Sequence, residues 1–116
     1  MHRKIVFRHM DHSGPMEQHA DQQLKKLEKL LEHEPTPIVI DLILEPSKVH
    51  SHHRVELIIK TKHYDRVVHS EGPKFYEVLD HVIDVMYRKL HEDKQRLVDE
   101  RKTQGQGREE KLKFEQ

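Results

Sequence analysis

The chain reads as an α+β protein, a β-α-β-β-β-α sandwich in which a four-stranded sheet carries two helices on one face. Three observations predict it. Apolar residues alternate with polar ones in four short stretches and recur every three to four residues in two longer ones, in the order strand, helix, three strands, helix. A start of strand, helix, strand demands a crossover. The first two strands are then parallel neighbours joined right-handedly, and the hairpins that follow extend the sheet antiparallel. A hydrophobic content of 34% in 116 residues suits a single core covered on one side, with the opposite sheet face left to solvent or a partner.

Residues 4–10 form the first strand, with Ile5 and Phe7 on one face and Val6 and Met10 on the other. Ser13 caps the first helix, Pro15 fits its first turn, and Glu17 and Asp21 suit the positive end of its dipole. Met16, Ala20, Leu24, Leu27 and Leu31 recur at helical spacing as one buried stripe, and Lys25, Lys26 and Lys29 fall outside it. Pro35 and Pro37 end the helix. Ile38, Ile40, Leu42 and Leu44 alternate with Val39, Asp41, Ile43 and Glu45, a strand apolar on nearly both faces. Residues 46–53 make a polar loop expected to be mobile, since only Val49 in it can anchor to a core. Val55, Leu57 and Ile59 mark the third strand, and a short Thr61-Lys62-His63 connection leads to a fourth over residues 64–69.

Glu71-Gly72-Pro73 is a turn that launches the last helix, whose stripe is Phe75, Leu79, Val82, Ile83, Met86 and Leu90. Residues 91–102 are expected to project as a mostly solvated helix with Leu97 and Val98 as the only apolar anchors. From Thr103 the Gly105 and Gly107 segment and mixed charge predict a disordered tail. The expected division is one α+β domain over residues 1–102 and a tail over residues 103–116.

Composition narrows the function. The chain has no cysteine, no apolar run near the roughly 20 residues that span a bilayer, and no secretory leader at Met1, so a cytoplasmic protein without disulfide chemistry is expected. Net charge is zero, with 21 Lys and Arg against 21 Asp and Glu, which argues against binding nucleic acid through bulk charge. The charge is polarised, however: residues 15–45 are acidic on balance and residues 46–70 basic. His50, His52 and His53 invite a metal reading, but adjacent loop histidines rarely converge, and without cysteine the stretch reads better as a phosphate-contacting loop. Asp80, His81 and Asp84 read as a solvated face complementing the helix dipole rather than as catalytic groups, and the four glycines form no phosphate loop. No enzymatic activity, cofactor, metal or small-molecule substrate is expected.

The basic residues of the two helices remain. Surface solubility explains any single lysine, yet Lys25, Lys26 and Lys29 on the first helix and Arg88, Lys89 and Lys94 on the second belong to helices packed on the same sheet face. Together they can offer one basic ridge to phosphates. Tyr76 and Tyr87 lie at the edge of the apolar stripe, where they can stack or simply border the core.

The run Gln23-Leu24-Lys25-Lys26-Leu27-Glu28-Lys29-Leu30, the alternating strand, the His-bearing loop, the hairpin and then Lys74-Phe75-Tyr76-Glu77-Val78-Leu79-Asp80 resemble the ribosome hibernation-promoting factor and ribosome-associated inhibitor family over roughly residues 4–95. The resemblance implies a fold similar to double-stranded-RNA-binding domains. It also implies a stress factor that binds ribosomal RNA of the small ribosomal subunit and occludes the messenger and transfer RNA channel. By position it assigns Lys25, Lys26 and Lys29, and Arg88, Lys89 and Lys94, to the family's two basic helices. Lys74-Phe75, Val78 and His91-Glu92-Asp93 depart from the family's pattern. Two other readings stay open at this point: a generic double-stranded-RNA-binding module, and a protein adaptor docking through residues 91–102. No obligate protein partner and no membrane are expected.

Overall fold

Parallel pairing of the first two strands organises everything else. A computed structural model describes residues 1–48 and 51–113, with side chains as far as Lys102. The elements are β1 (His2–Phe7), α1 (Gly14–Leu30), β2 (Val39–Pro46), β3 (His53–Lys60), β4 (Asp65–Gly72) and α2 (Phe75–Lys113), and the sheet order is β1-β2-β3-β4. β1 runs parallel to β2, with His2 opposite Val39 and Phe7 opposite Leu44. β3 then pairs antiparallel with both β2 and β4. This is the expected β-α-β-β-β-α sheet with both helices on one face.

Local chemistry sets the helix ends. Ser13 has extended backbone (φ −125°, ψ 114°), and its Oγ accepts a hydrogen bond from the Met16 N–H at 3.4 Å. Leu31 closes α1, its N–H donating to the carbonyls of Leu27 and Glu28. At the start of α2, Gly72 admits a close approach: a Cβ there would lie 2.8 Å from Cγ2 of Val78, so any side chain would push the helix off β4.

The core is one-sided. Ile40, Leu42, Leu44, Val55, Leu57 and Ile59 point inward from the sheet and are all but inaccessible. Ala20, Leu24, Leu27 and Leu31 of α1 meet them, as do Leu79, Val82, Met86 and Leu90 of α2. The outer face is half-open, with Ile43 covered by its neighbours while Val67 is 52% exposed.

Four boundaries differ from expectation. β1 ends at Phe7, because His9 adopts a left-handed conformation (φ 56°) and turns the chain, so Met10 packs on the core side with Ile5 and Phe7 rather than opposite them. β4 runs on through Glu71 and Gly72, which the sequence assigns to a turn, since Arg54 and His53 of β3 still pair with them; at its other end β3 begins at His53. α2 continues to Lys113, past the predicted break at Thr103. Residues 108–113 are strong helix formers, and Gly105 and Gly107 each cost only about 1 kcal/mol relative to Ala. Residues 114–116 of the expected tail, and Val49 and His50 of the expected mobile loop, lie outside the described residues. As expected, Leu97 and Val98 are half-buried, and Leu97 packs on the core.

Because α2 meets the sheet through a stripe with no exposure, Leu79→Ala should lower unfolding free energy by about 2–5 kcal/mol in urea denaturation. Val67→Ala on the outer face should stay within about 0.5 kcal/mol of wild type. Equal effects would mean that the two faces are not packed so unequally.

Candidate nucleic-acid interface

One parallel and two antiparallel steps separate β1 from β4, so both strands run the same way, and each is followed by a helix that returns over the inner face. α1 and α2 therefore lie side by side and parallel. Their first halves are joined by His19, whose Nε2 lies 2.7 Å from Oδ1 of Asp80 and whose ring meets Tyr76 edge-on at 4.9 Å between centroids. Further along, a groove of about 530 Å³ between the helices is lined by Gln23, Lys26, Lys29, Asp80, Ile83, Asp84 and Tyr87.

Parallel packing aligns the two macrodipoles, although α1 ends at Leu30 while α2 runs on to Lys113. Acids occupy the N-terminal halves (Glu17 and Asp21; Glu77, Asp80 and Asp84). Cations follow them along each helix (Lys25, Lys26 and Lys29; Arg88, Lys89, Lys94 and Arg101), interspersed with Glu28, Glu92, Asp93, Asp99 and Glu100. Glu17 and Glu77 in the first turns and Lys29 in the last turn of α1 are each favoured by roughly 0.3–1 kcal/mol. One end of the helix layer is thus acidic and the other basic, although the chain sums to zero.

The six predicted residues are not equivalent. Lys26 and Lys29 line the groove together with Tyr87, which is 40% exposed and stacks on His91 at 6.3 Å. Arg88 joins them through Asp84, to which it is bound at 3.2 Å. Lys25 is exposed on the flank turned away from α2, beside Asp21 and Glu28, which bind Arg3 of β1 at 2.6 and 3.0 Å. Lys94 is exposed in a second cleft nearer the end of the layer.

Lys89 is the outlier. It is half-buried on the β4 side, where Arg66 holds Asp93 through paired bonds of 2.8 Å from Nε and Nη2. The Arg66 hydrogen bonds, with the charges of Arg66, Arg96 and Lys89, outweigh burial and hold the Asp93 carboxyl below its ordinary pKa. Lys89 lies one turn before Asp93 on α2, and its charge adds to those that favour the ionised carboxylate.

The outer sheet face offers no comparable surface. Asp41, Glu45, Glu56, Asp65 and Glu71 there face Lys4, Arg8, Arg54 and Lys60. Arg54 is itself taken up by Glu56 at 2.9 Å, Glu45 at 3.4 Å and Glu71 at 3.6 Å. Of the basic stretch of residues 46–70, Arg54 is neutralised in this way and Arg66 by Asp93 of α2. Among the described residues no three His, Asp or Glu side chains are grouped to hold a metal ion; of the histidine cluster, His53 starts β3 with its ring 5.8 Å from Phe75, and His50 lies outside them.

Sequence reasoning missed the contribution of Arg101 and Tyr64 to the second cleft. Arg101 was visible only as one of many cations in the basic end of α2, and Tyr64 only as the first residue of a strand.

The family model described as Sigma 54 modulation protein / S30EA ribosomal protein matches residues 4–98. No curated protein sequence matches the chain. Among solved structures, the Thermus thermophilus Protein Y N-terminal domain is similar at 16% identity and a TM-score of 0.61, over 78% of this chain and 96% of that one. A ribosomal subunit interface protein from Coxiella burnetii is similar at 17% identity and a TM-score of 0.63, over 82% and 99%. These two likenesses support the fold.

A carboxylate with a lowered folded-state pKa stabilises the protein above its unfolded value of about 3.9, and this is lost as pH falls through the folded value. Asp93→Asn should therefore cost about 1 kcal/mol at pH 7, with the gap to wild type closing below roughly pH 4 in denaturation series. A gap independent of pH would show that the ionised pair is not the source.

Proposed function

The chain belongs to the Sigma 54 modulation protein / S30EA ribosomal protein family, and on that premise we propose that it is a non-catalytic ribosome-binding factor that silences translation by occupying the small subunit where messenger and transfer RNA pass. The likeness to one structural relative, a ribosomal subunit interface protein, supports the ribosomal setting. The observation that carries the reading is the gathering of Lys26, Lys29, Arg88 and Lys94 where the C-terminal end of α1 lies beside α2, on the exposed side of the layer.

The mechanism is electrostatic docking followed by steric exclusion. Exposed lysines and arginines neutralise phosphates and release condensed counterions, which gives affinity without base readout. The acidic half of the layer, with Glu77 and Asp80, repels phosphates and so fixes which end docks. The groove between the helices and the exposed Tyr87 add a surface on which a nucleotide edge can rest. No step needs a nucleophile or a metal. A ribosome-bound role sets the protein in the cytoplasm, and among the described residues no helix is long and apolar enough to cross a membrane.

Co-sedimentation with small subunits across a salt series tests this. Affinity should fall linearly on logarithmic axes. Lys26→Glu with Lys29→Glu should weaken binding at least about tenfold and reduce the slope by roughly 0.7–0.9 per lost phosphate contact. Lys89→Glu should have little effect, because that side chain is half-buried. Persistence of the complex in saturating messenger and transfer RNA would overturn occlusion. Tight binding to naked duplex RNA with none to ribosomes would point to a shape-reading RNA module instead.

A further inference from the structure

At the basic end of the helix layer, beyond the groove, lies a separate cleft of about 320 Å³. Three parts of the chain meet there: the end of α1 with the turn after it (Leu30, His33, Glu34 and Pro35), the β3–β4 connection (His63 and Tyr64), and the second half of α2 (Lys94, Leu97, Val98 and Arg101). Its volume is at the lower end of the range for small-ligand sites, enough for a molecule of mononucleotide size.

The lining has two characters. Leu30, Pro35, Leu97 and Val98 are apolar and border the ring of the buried Tyr64. Lys94 and Arg101 lie two helical turns apart, about 10 Å along α2, on the same side of it. Their neighbours Arg66 and Arg96 both bind Asp93, at 2.8 and 3.5 Å, whereas among the described residues Lys94 and Arg101 have no ion pair.

The cleft's one carboxylate is already engaged. Glu34 accepts a hydrogen bond from Oγ1 of Thr61 at 2.6 Å, and Nδ1 of His63 lies 3.0 Å from its Oε2. Burial raises its pKa, but these hydrogen bonds and the charge of His63 outweigh that and leave it below the ordinary value, so it stays an anion committed to the corner. The same Glu34 charge, Asp93 and above all burial push the Tyr64 hydroxyl up, partly offset by Arg101, so the phenol stays neutral and can donate.

From this juxtaposition of two unneutralised cations with an enclosed apolar floor, we infer that the cleft binds one nucleoside monophosphate unit, its phosphate on Lys94 and Arg101 and its base against Leu30, Leu97 and Val98. The occupant favoured is an unpaired nucleotide of an RNA strand lying on the ridge. Leu30 follows Lys29 directly in α1, so the groove and the cleft both border the last turn of that helix. The inference deepens the RNA reading above and rests on it for the source of the nucleotide. Unpaired bases are the usual targets where a protein contacts RNA beyond its phosphates.

The test is a methyl-NMR titration of the full chain with 5′-adenosine monophosphate, with a single-stranded hexanucleotide, and with inorganic phosphate. Saturable shifts of the Leu30, Leu97 and Val98 methyls with the first two, and not with phosphate, are expected. Lys94→Glu with Arg101→Glu, both exposed and so compatible with the fold, should weaken that binding about tenfold, a loss of about 1.4 kcal/mol. Val98→Trp should fill the floor and block it with both cations present. A hexanucleotide binding at least tenfold tighter than the mononucleotide assigns the site to a strand, and equal affinities assign it to the free nucleotide. Absence of methyl shifts, or the same shifts with phosphate alone, overturns the inference. Lys26→Glu with Lys29→Glu should weaken ribosome binding at least about tenfold while leaving the mononucleotide titration unchanged. An empty cleft on a protein that still binds ribosomes thus rejects only the cleft, and an occupied cleft on a protein that ignores ribosomes rejects only the ribosomal role.

Discussion

The parallel pairing of β1 with β2 is the constraint on which the rest of the molecule depends. A parallel pair cannot be closed by a tight turn, so α1 must cross over the sheet, and the right-handed crossover commits it to one face. Two antiparallel steps later β4 points the same way as β1, and α2 is sent back across the same face beside α1. Strands of six to eight residues can shelter only part of a helix of 39, so α2 outruns the sheet. The one-sided core, the aligned helix dipoles and the projecting end that carries Lys94 and Arg101 all follow from that single pairing.

Charge is where this geometry becomes useful. A chain of zero net charge cannot attract a polyanion as a whole, but it can do so locally if its anions are held elsewhere. Arg54 is ringed by Glu45, Glu56 and Glu71 on the outer sheet face, and Arg3 binds Asp21 and Glu28 at the β1 edge. Among the described residues Lys26, Lys29, Lys94 and Arg101 have no ion pair, although Glu92 and Glu100 are also exposed on that stretch of α2. Since phosphate contacts act within about a Debye length of 8–10 Å at ordinary salt, the local surplus matters more than the sum.

Much of this was legible in the sequence. Alternation in residues 38–45 and 54–60, and the helical stripes of Leu24, Leu27 and Leu31 and of Leu79, Val82 and Met86, fixed the elements, and element order fixed the topology. Boundaries set by backbone geometry were not legible. Met10 changed sides because His9 is left-handed, and Glu71 and Gly72 stayed in β4 because β3 was there to pair with them. For the candidate site, the sequence supplied the right helices but not the rotation of each residue about its axis. Arg88 and Lys89 are adjacent in sequence, yet a step of about 100° turns one outward and leaves the other half-buried. The second cleft was invisible because its walls come from three segments distant in the chain.

A basic surface built at a helix C-terminus also differs energetically from one placed at random. Clustered cations repel one another, a cost the fold must offset, and here the negative dipole end of α1, which closes at Leu30, lies beside Lys26 and Lys29. The cations are therefore partly compensated in the free protein without being neutralised by side chains, which would have to be displaced before a phosphate could bind. Arg88 is the exception, being tied to the exposed Asp84, and an exposed i,i+4 pair of this kind is worth only about 0.3–0.5 kcal/mol, little enough to yield to a phosphate. Compensation by backbone dipoles leaves the side chains free to move to a ligand. Compensation by half-buried ion pairs, as at Arg66 and Asp93, locks them into the fold.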